Sequence, residues 1–436
     1  MTKWFLIKDN PANKISYYHL LLLMASLPFD MFYSHLILIS LAIHTLIHLK
    51  KDTIKPFPEL RIIVLTSVFL VTVLSTIYTI NFGAAYQEWG RQITILLIPL
   101  IFWLNPLDLK KYRPNFLMAF ALVCTGIIAY LFIDSVFVIR HYHLSVSFLF
   151  SRYFTNHNFS QPIAIHATFF SMQIALALVF MLSVLLKKRS FYNRLFYLCC
   201  CGVLSAGLIQ LGSKSVVVAM VVIINLAVPY FILQGTGRRR FIWISAVLTI
   251  LIAAGVLASG NFRERYITGL KNDLSKSVDG KVAEGRLVRW NVAIGIISKS
   301  PVIGYGSGSE TGLLQDSYFN KKMYISYLAR LNSHSEYLSF LMKSGIVGLL
   351  IYLATLAVGF IVSFRRKDLL LFSFTLLTAF VSLSENLLDV DKGIIFYAFF
   401  FSFLSFSSTN TLIIAKPLKL IINNHSKATK ELVATS

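Results

Sequence analysis

Apolar residues run along this chain in twelve long stretches, at about 15–28, 31–49, 60–80, 87–104, 115–138, 162–186, 192–211, 215–234, 240–258, 336–363, 368–385 and 393–414. Each is set off from the next by polar residues. About 20 consecutive apolar residues span the hydrocarbon core of a bilayer as a helix, so the pattern predicts membrane-crossing helices. A membrane β-barrel would show short segments of alternating polarity instead. The expected fold class is an all-α polytopic membrane protein with about 12 transmembrane helices.

The polar punctuation assigns an orientation. Lys3, Lys8 and Lys14 precede the first stretch, and Lys50, Lys51 and Lys55 follow the second. Lys110, Lys111 and Arg113 follow the fourth; Lys187, Lys188, Arg189 and Arg194 the sixth; Arg238, Arg239 and Arg240 the eighth. Arg365, Arg366 and Lys367 follow the tenth, and Lys416 and Lys419 the twelfth. Every second connection is basic, which places both termini in the cytoplasm. Two outer connections are long: Arg140 to Gln161, and Gly260 to Ser335. The chain thus divides into spans 1–9 over residues 1–259, a large outer loop over 260–335, spans 10–12 over 336–415 and a cytoplasmic tail over 416–436, polar and frayed. The polar stretch Met1 to Asn13 runs into membrane without the form of a cleavable signal peptide. Neither an internal repeat nor a low-complexity tract is evident.

Composition sharpens this picture. Of 436 residues, 56% are hydrophobic and 14% charged, against roughly a quarter charged in soluble domains. The formal charge of +22 would suit nucleic acid, but the cations cluster at the ends of apolar stretches, where anionic lipid is the partner. No nucleic-acid partner is expected. Cys199, Cys200 and Cys201 are adjacent and fall on different helix faces, matching neither zinc-ligand nor disulfide spacing; with Cys124 they read as small buried hydrophobes.

Dense polar chemistry is confined to Glu284–Leu350. Apolar spacing predicts a helix over Arg286–Ile297, folded across the membrane mouth. Ser333 and Glu336 fit the S-x-x-E capping box, which would start the tenth span and put His334 in its first turn. The positive helix end there disfavours imidazolium, leaving a neutral ring able to accept a proton. His334 therefore reads either as a general base for a sugar hydroxyl or as an interfacial histidine bonded to loop backbone. Arg286 and Arg289 share a helical face and would clamp a pyrophosphate or meet lipid headgroups; Arg289 has Glu284 as an alternative partner. Lys214, in a short outer loop, runs against the charge bias, which phosphate binding or snorkelling would explain. Arg91 has the same two readings. His166 reads as a packed histidine or a substrate contact.

Other motifs read as structural. His44 and His48 are four apart, with neither carboxylate nor cysteine beside them to complete a metal site. Gly304, Gly306 and Gly308 lack a βαβ context and read as a flexible turn. Glu385, Asp389 and Asp391 mark the last outer loop and read either as solvated or as orienting an arginine or an acceptor, the first being preferred. No metal and no cofactor are expected.

The motifs Gly285-Arg286-x-x-x-Trp290, Pro301-x-x-Gly304-x-Gly306 and His334-Ser335-x-Tyr337-Leu338, followed by Gly345-x-x-Gly348-Leu349, resemble the O-antigen ligase family. That family shares its polytopic core with O-antigen polymerases and protein O-oligosaccharyltransferases. The segment His166–Met172 is similar to a His-Pro-Thr-Tyr-Phe-Ser-Met run of Bacteroidetes-type members, with Ala167 and Phe169 departing. The resemblance implies a GT-C-like membrane glycosyltransferase that acts without a metal on an undecaprenyl-pyrophosphate-linked glycan. It implies that His334 is the essential loop histidine and Arg286 the loop arginine. Lys214 stands where a Ser-Arg-Ser-type motif has arginine, keeping the charge but losing the planar fork. Ser335 stands where asparagine usually follows the histidine.

Together these features predict an enzyme of the bacterial inner membrane that moves a glycan to an acceptor hydroxyl on the periplasmic side. Lipid A–core as acceptor would make it an O-antigen ligase, which the single large outer loop with one histidine favours. Another glycan repeat would make it a polymerase, and a protein serine or threonine an oligosaccharyltransferase. A transporter would require repeated halves and charges at mid-membrane depth, of which the spans read as nearly free.

Overall fold

The computed structural model describes residues 5–49, 60–187, 190–275, 277–278, 281–282 and 284–408. Lys3, Lys50, Lys51, Lys55, Lys188, Arg189, Lys416 and Lys419, the end of the twelfth apolar stretch and the 416–436 tail lie outside the described residues.

A long helix coincides with each apolar stretch. These are α1 (Pro11–Ser26), α2 (Met31–Ile47), α3 (Leu60–Ser75), α4 (Phe82–Leu104), α5 (Leu109–His141), α6 (Ala167–Leu185), α7 (Phe191–Leu211), α8 (Lys214–Ile232) and α9 (Gly235–Ala258). The large loop then supplies α10 (Arg286–Ile297) and α11 (Glu310–Asn320), before α12 (Glu336–Arg366), α13 (Leu369–Val381) and α14 (Asp391–Ser407). The protein is an all-α polytopic membrane protein, and among the described residues seven helices are long and apolar enough to cross a membrane on their own. Among the described residues, strand is confined to a hairpin pairing Ser277 with Val282 and Val278 with Lys281.

Helix starts follow local chemistry. The side chains of Asn10, Asp30, Asn81, Asp108 and Asp368 each accept a backbone N–H of the helix that they open, satisfying donors that lack an intrahelical partner. The burial pattern shows which helices face protein and which face lipid. α6 and α14 are buried along nearly their whole length and form the core, where Phe396, Phe399, Phe400 and Phe403 of α14 meet rings of α4, α5 and α13. In α9 only Ser245 is buried, so its apolar residues face the lipid. Cys124, Cys200 and Cys201 are buried free thiols as expected, whereas Cys199 is exposed on the outer side of α7.

The large loop has a small core of its own, with Val292, Ala293 and Ile296 of α10 packed against Leu314 and Tyr318 of α11. It is joined to the membrane helices by a splice. α12 breaks at Gly345, where φ is +61° and ψ −161°. The break leaves the carbonyls of Met342 and Lys343 without helical donors, and Tyr305 N and Gly306 N donate to them at 2.8 Å each. Ile346 N donates in turn to the Pro301 carbonyl at 2.9 Å. A Cβ at Gly304 would stand 2.6 Å from the Met342 carbonyl oxygen, so backbone this close admits only glycine. The glycine run is therefore not the flexible turn that its sequence suggests. It is pinned, with Thr79 Oγ1 donating to the Ser307 carbonyl and Gly308 N donating to Glu88 Oε2, both at 2.6 Å.

Candidate functional site

The site begins with a carboxylate in the turn after α13. Glu385 Oε2 accepts a hydrogen bond from His334 Nδ1 at 3.2 Å, and its Oε1 meets Arg286 Nη2 at 3.4 Å. In a neutral ring, donation from Nδ1 leaves the lone pair on Nε2. Burial works to raise the Glu385 carboxyl, but the His334 bond and the charge of Arg286 outweigh it and hold the group below the usual carboxylate range. A solvated last loop was expected here; instead the Glu385 side chain is only 14% exposed.

His334 gets its position from the loop and not from the helix. It adopts φ +48° two residues before α12, with its N–H donating to Asn332 Oδ1 at 3.1 Å. The predicted capping box does not form: Ser333 binds Glu310 and the Glu336 carboxylate accepts Leu388 N. The helix-end argument therefore does not apply to His334, whose ring is oriented by Glu385 instead. Arg286 opens α10 behind Gly285, where a Cβ would stand 2.7 Å from the Asn272 carbonyl oxygen. One turn on, Arg289 and Trp290 hold the histidine loop, donating to the carbonyls of Asn332 (3.4 Å) and Ser333 (2.9 Å). Arg289 is 6% exposed, and burial lowers its guanidinium below the ordinary value. It does not pair with Glu284, whose carboxylate accepts Ile325 N and Ser326 N.

Below the histidine loop lies a buried polar network that the sequence reading missed. Lys343 Nζ binds Glu88 Oε1 at 2.6 Å and Asp389 Oδ1 at 2.8 Å. Asn386 Nδ2 donates to Asp389 (2.8 Å) and Glu310 (3.1 Å), and its Oδ1 accepts Ser335 N at 2.9 Å. Both loops of the site, around 334 and 385, are thus fixed to α4 and α12. Glu88 and Lys343 lie toward the outer ends of the stretches 87–104 and 336–363, short of mid-membrane depth. A signal was present: Glu336 and Lys343 recur at helical spacing on one face of α12, as do Glu88 and Gln92 on α4.

Beside Glu385 opens a cavity of about 590 Å³. Arg286 and Glu385 line it, together with Lys214 at the start of α8. The shorter outer loop adds Arg152 and His157, and the 264–273 segment adds Arg265. Lys214 Nζ lies 3.2 Å from Asp273 Oδ2, both partners about a third exposed, so solvent screens this pair. Arg265, on a π-helical turn, donates Nε (3.0 Å) and Nη2 (2.9 Å) to the Gly212 carbonyl, fixing the turn before Lys214. Sequence reasoning passed over Arg265, although a π-bulge often marks a functional position.

The cavity thus unites Arg286 and Lys214, with His334 held just beyond Glu385. His166 lies behind His157, ring centroids 4.2 Å apart, and its Nδ1 accepts Thr168 N at the start of α6. Arg91 is not brought to the cavity. It is exposed, donates to the Asp389 carbonyl at 3.3 Å, and lines a separate cleft with His35, Gln87 and Asp391. Among the described residues, no group of three or more His, Cys, Asp or Glu side chains is placed to hold a metal.

Residues 199–353 match the model of the O-antigen ligase family. The match supports the resemblance to that family read from the loop motifs. The matched stretch contains Lys214, Arg265, Arg286 and His334, while Glu385 and the shorter outer loop lie beyond it. The match supports a membrane glycosyltransferase of the O-antigen ligase or polymerase type, with a lipid-linked glycan as donor and a glycan as acceptor in general terms. No curated protein matches the chain.

Proposed function

We propose that this protein transfers a glycan from undecaprenyl pyrophosphate to a hydroxyl of lipid A–core, at the periplasmic face of the bacterial inner membrane. Residues 1–259 and 336–415 would form the spans, 260–335 the periplasmic loop, and both termini would be cytoplasmic. The supporting observation is the Glu385 carboxylate, which touches the proposed base and the proposed clamp at once.

In this reading His334 Nε2 takes the proton of the acceptor hydroxyl while Nδ1–H stays on Glu385. The acceptor oxygen forms the new bond to the anomeric carbon, whose bond to the phosphate oxygen breaks. The electron pair departs on the pyrophosphate, where Arg286 and Lys214 stabilise the charge. The transferred bond is already activated, so no nucleotide is consumed.

A second reading, polymerase, draws on the shorter outer loop, which supplies Arg152 and His157 to the cavity wall. Deleting the gene and displaying lipopolysaccharide on a gel tests both. Loss of the polysaccharide ladder with accumulation of lipid-linked polymer supports ligase. A core carrying one repeat points to polymerase, and an unchanged ladder rejects both.

A further inference from the structure

At the opposite end of the bundle is a second cavity of about 500 Å³, between α5, the end of α6, α7, α8 and the turn from α12 to α13. Thr168 lines the first cavity and Lys187 the second. Thr168 is at the start of the 19-residue α6 and Lys187 just past its end, a helix about 28 Å long at 1.5 Å per residue and close to a bilayer's hydrocarbon thickness.

The wall of this second cavity has two levels. At the helix ends stand Lys110, Lys187, Arg366 and Lys367, with Arg113 just below. Asp368 is the one carboxylate among the lining residues, and Arg113 takes it in a two-pronged ion pair at 2.7 and 2.8 Å. The side-chain ammonium groups of Lys110, Lys187 and Lys367 make no hydrogen bond or ion pair among the described residues. Farther along the helices the wall is mainly apolar, with Leu117 and Met118 of α5, Phe180 and Val184 of α6, and Phe231 of α8, interrupted by Asn115, Ser183 and Tyr197. Phe180 is seven residues before Lys187 and Met118 eight after Lys110, so the cavity runs roughly 10 to 12 Å inward from its cations.

We propose that this cavity holds an anionic membrane lipid, its phosphate among Lys110, Lys187 and Lys367 and its first acyl carbons against Phe180, Met118 and Phe231. An inorganic phosphate would satisfy the cations and leave the apolar wall bare. A zwitterionic lipid would fill the wall but bring its own cation against them. An anionic phospholipid suits both levels, because excess positive charge at a membrane face draws acidic headgroups. Helix-end cations commonly serve orientation alone; these differ in converging from three connections on one recess, with their only carboxylate already paired. The site is independent of the transferase reading, since it lies a membrane's thickness from the first cavity.

Native mass spectrometry of the full-length protein, released from detergent with phosphatidylglycerol or phosphatidylcholine of matched chains, tests this. Phosphatidylglycerol should be retained, and the Lys110→Gln/Lys187→Gln/Lys367→Gln variant should retain it on the order of tenfold less or weaker. Arg239→Gln/Arg240→Gln, which removes charge outside the cavity, should retain it as the parent does. Equal retention of the two lipids, or an equal loss in both variants, overturns the site. Displacement of the lipid by millimolar inorganic phosphate would mean an anion site without a lipid, which also overturns the proposal. If the triple variant fails to fold, Lys187→Gln and Lys367→Gln are read singly, and unchanged retention in each counts against it.

Discussion

His334 and Glu385, 51 residues apart in the chain, meet at 3.2 Å, Nδ1 to Oε2. The second oxygen of the same carboxylate reaches Arg286. An imidazole and a guanidinium are thereby held on one carboxylate, in a loop fastened to the buried network below it. This arrangement makes Glu385 as informative to change as His334 itself.

His334→Ala should lower glycan transfer by about 10²–10⁴-fold, the usual range for a positioned general base. Glu385→Gln should lower it comparably, by about 10²–10⁴-fold, since the amide can hold the wrong imidazole tautomer and no longer offsets Arg286. Turnover of a lipid-linked donor by purified protein measures both. The depressed carboxyl of Glu385 adds a sign: its contribution is complete above the ordinary carboxylate value of about 4.3 and is lost as pH falls through its lower folded value. Titration of Glu385 should therefore leave no step in transfer between pH 6 and 8. Full activity in Glu385→Gln would remove it from the site.

Lys343→Met should destabilise the protein by about 3–5 kcal/mol, because Glu88 and Asp389 would be left buried without their cation. Combining it with Glu88→Gln and Asp389→Asn should return much of the loss. Thermal unfolding of the detergent-solubilised protein reads both, and a single variant as stable as the parent contradicts the network.

Gly345→Ala should cost about 1–3 kcal/mol through its left-handed backbone alone, and more because the new Cβ meets the Val302 carbonyl. Gly295→Ala, in α10 with open space around it, should instead stabilise by roughly 0.5–1 kcal/mol. The same unfolding measurement compares the two glycines.

His157 opens onto the cavity, yet the protein packed around it and the Arg265 guanidinium hold its imidazole below the ordinary value, with Glu385 opposing. Unfolded, the ring takes up its proton as pH falls through about 6.5; folded, it does so at lower pH. Between those values the unfolded state binds more protons, so stability rises with pH through this window and declines on acidification. The fall in melting temperature from pH 7 to pH 5 should be shallower in His157→Gln than in the parent. An identical slope rules out this linkage.

The distribution of apolar residues carried most of the fold, because a bilayer demands long helices and the chain can meet that demand only where charges are sparse. A long helix accordingly coincides with every predicted stretch. The loop motifs were also legible as chemistry, since Gly285-Arg286 and His334 stand out against greasy surroundings. Local reasoning failed where two local rules competed. Ser333 and Glu336 have capping-box spacing, but buried carboxylate and loop partners claimed both side chains. Gly304, Gly306 and Gly308 were read as freedom, and packing against a broken helix made them the most constrained backbone in the loop.

What the sequence determined by itself was the membrane class and the helix positions, which follow from solvent preference along a single segment. The tertiary structure decided the partnerships: Glu385 with His334 and Arg286, Lys343 with Glu88 across 255 residues, and Arg91 outside the cavity. Such pairings depend on which helix faces pack together. A carboxylate has the same composition and local spacing whether it ends in water or against an imidazole, so only the packed helices distinguish the two.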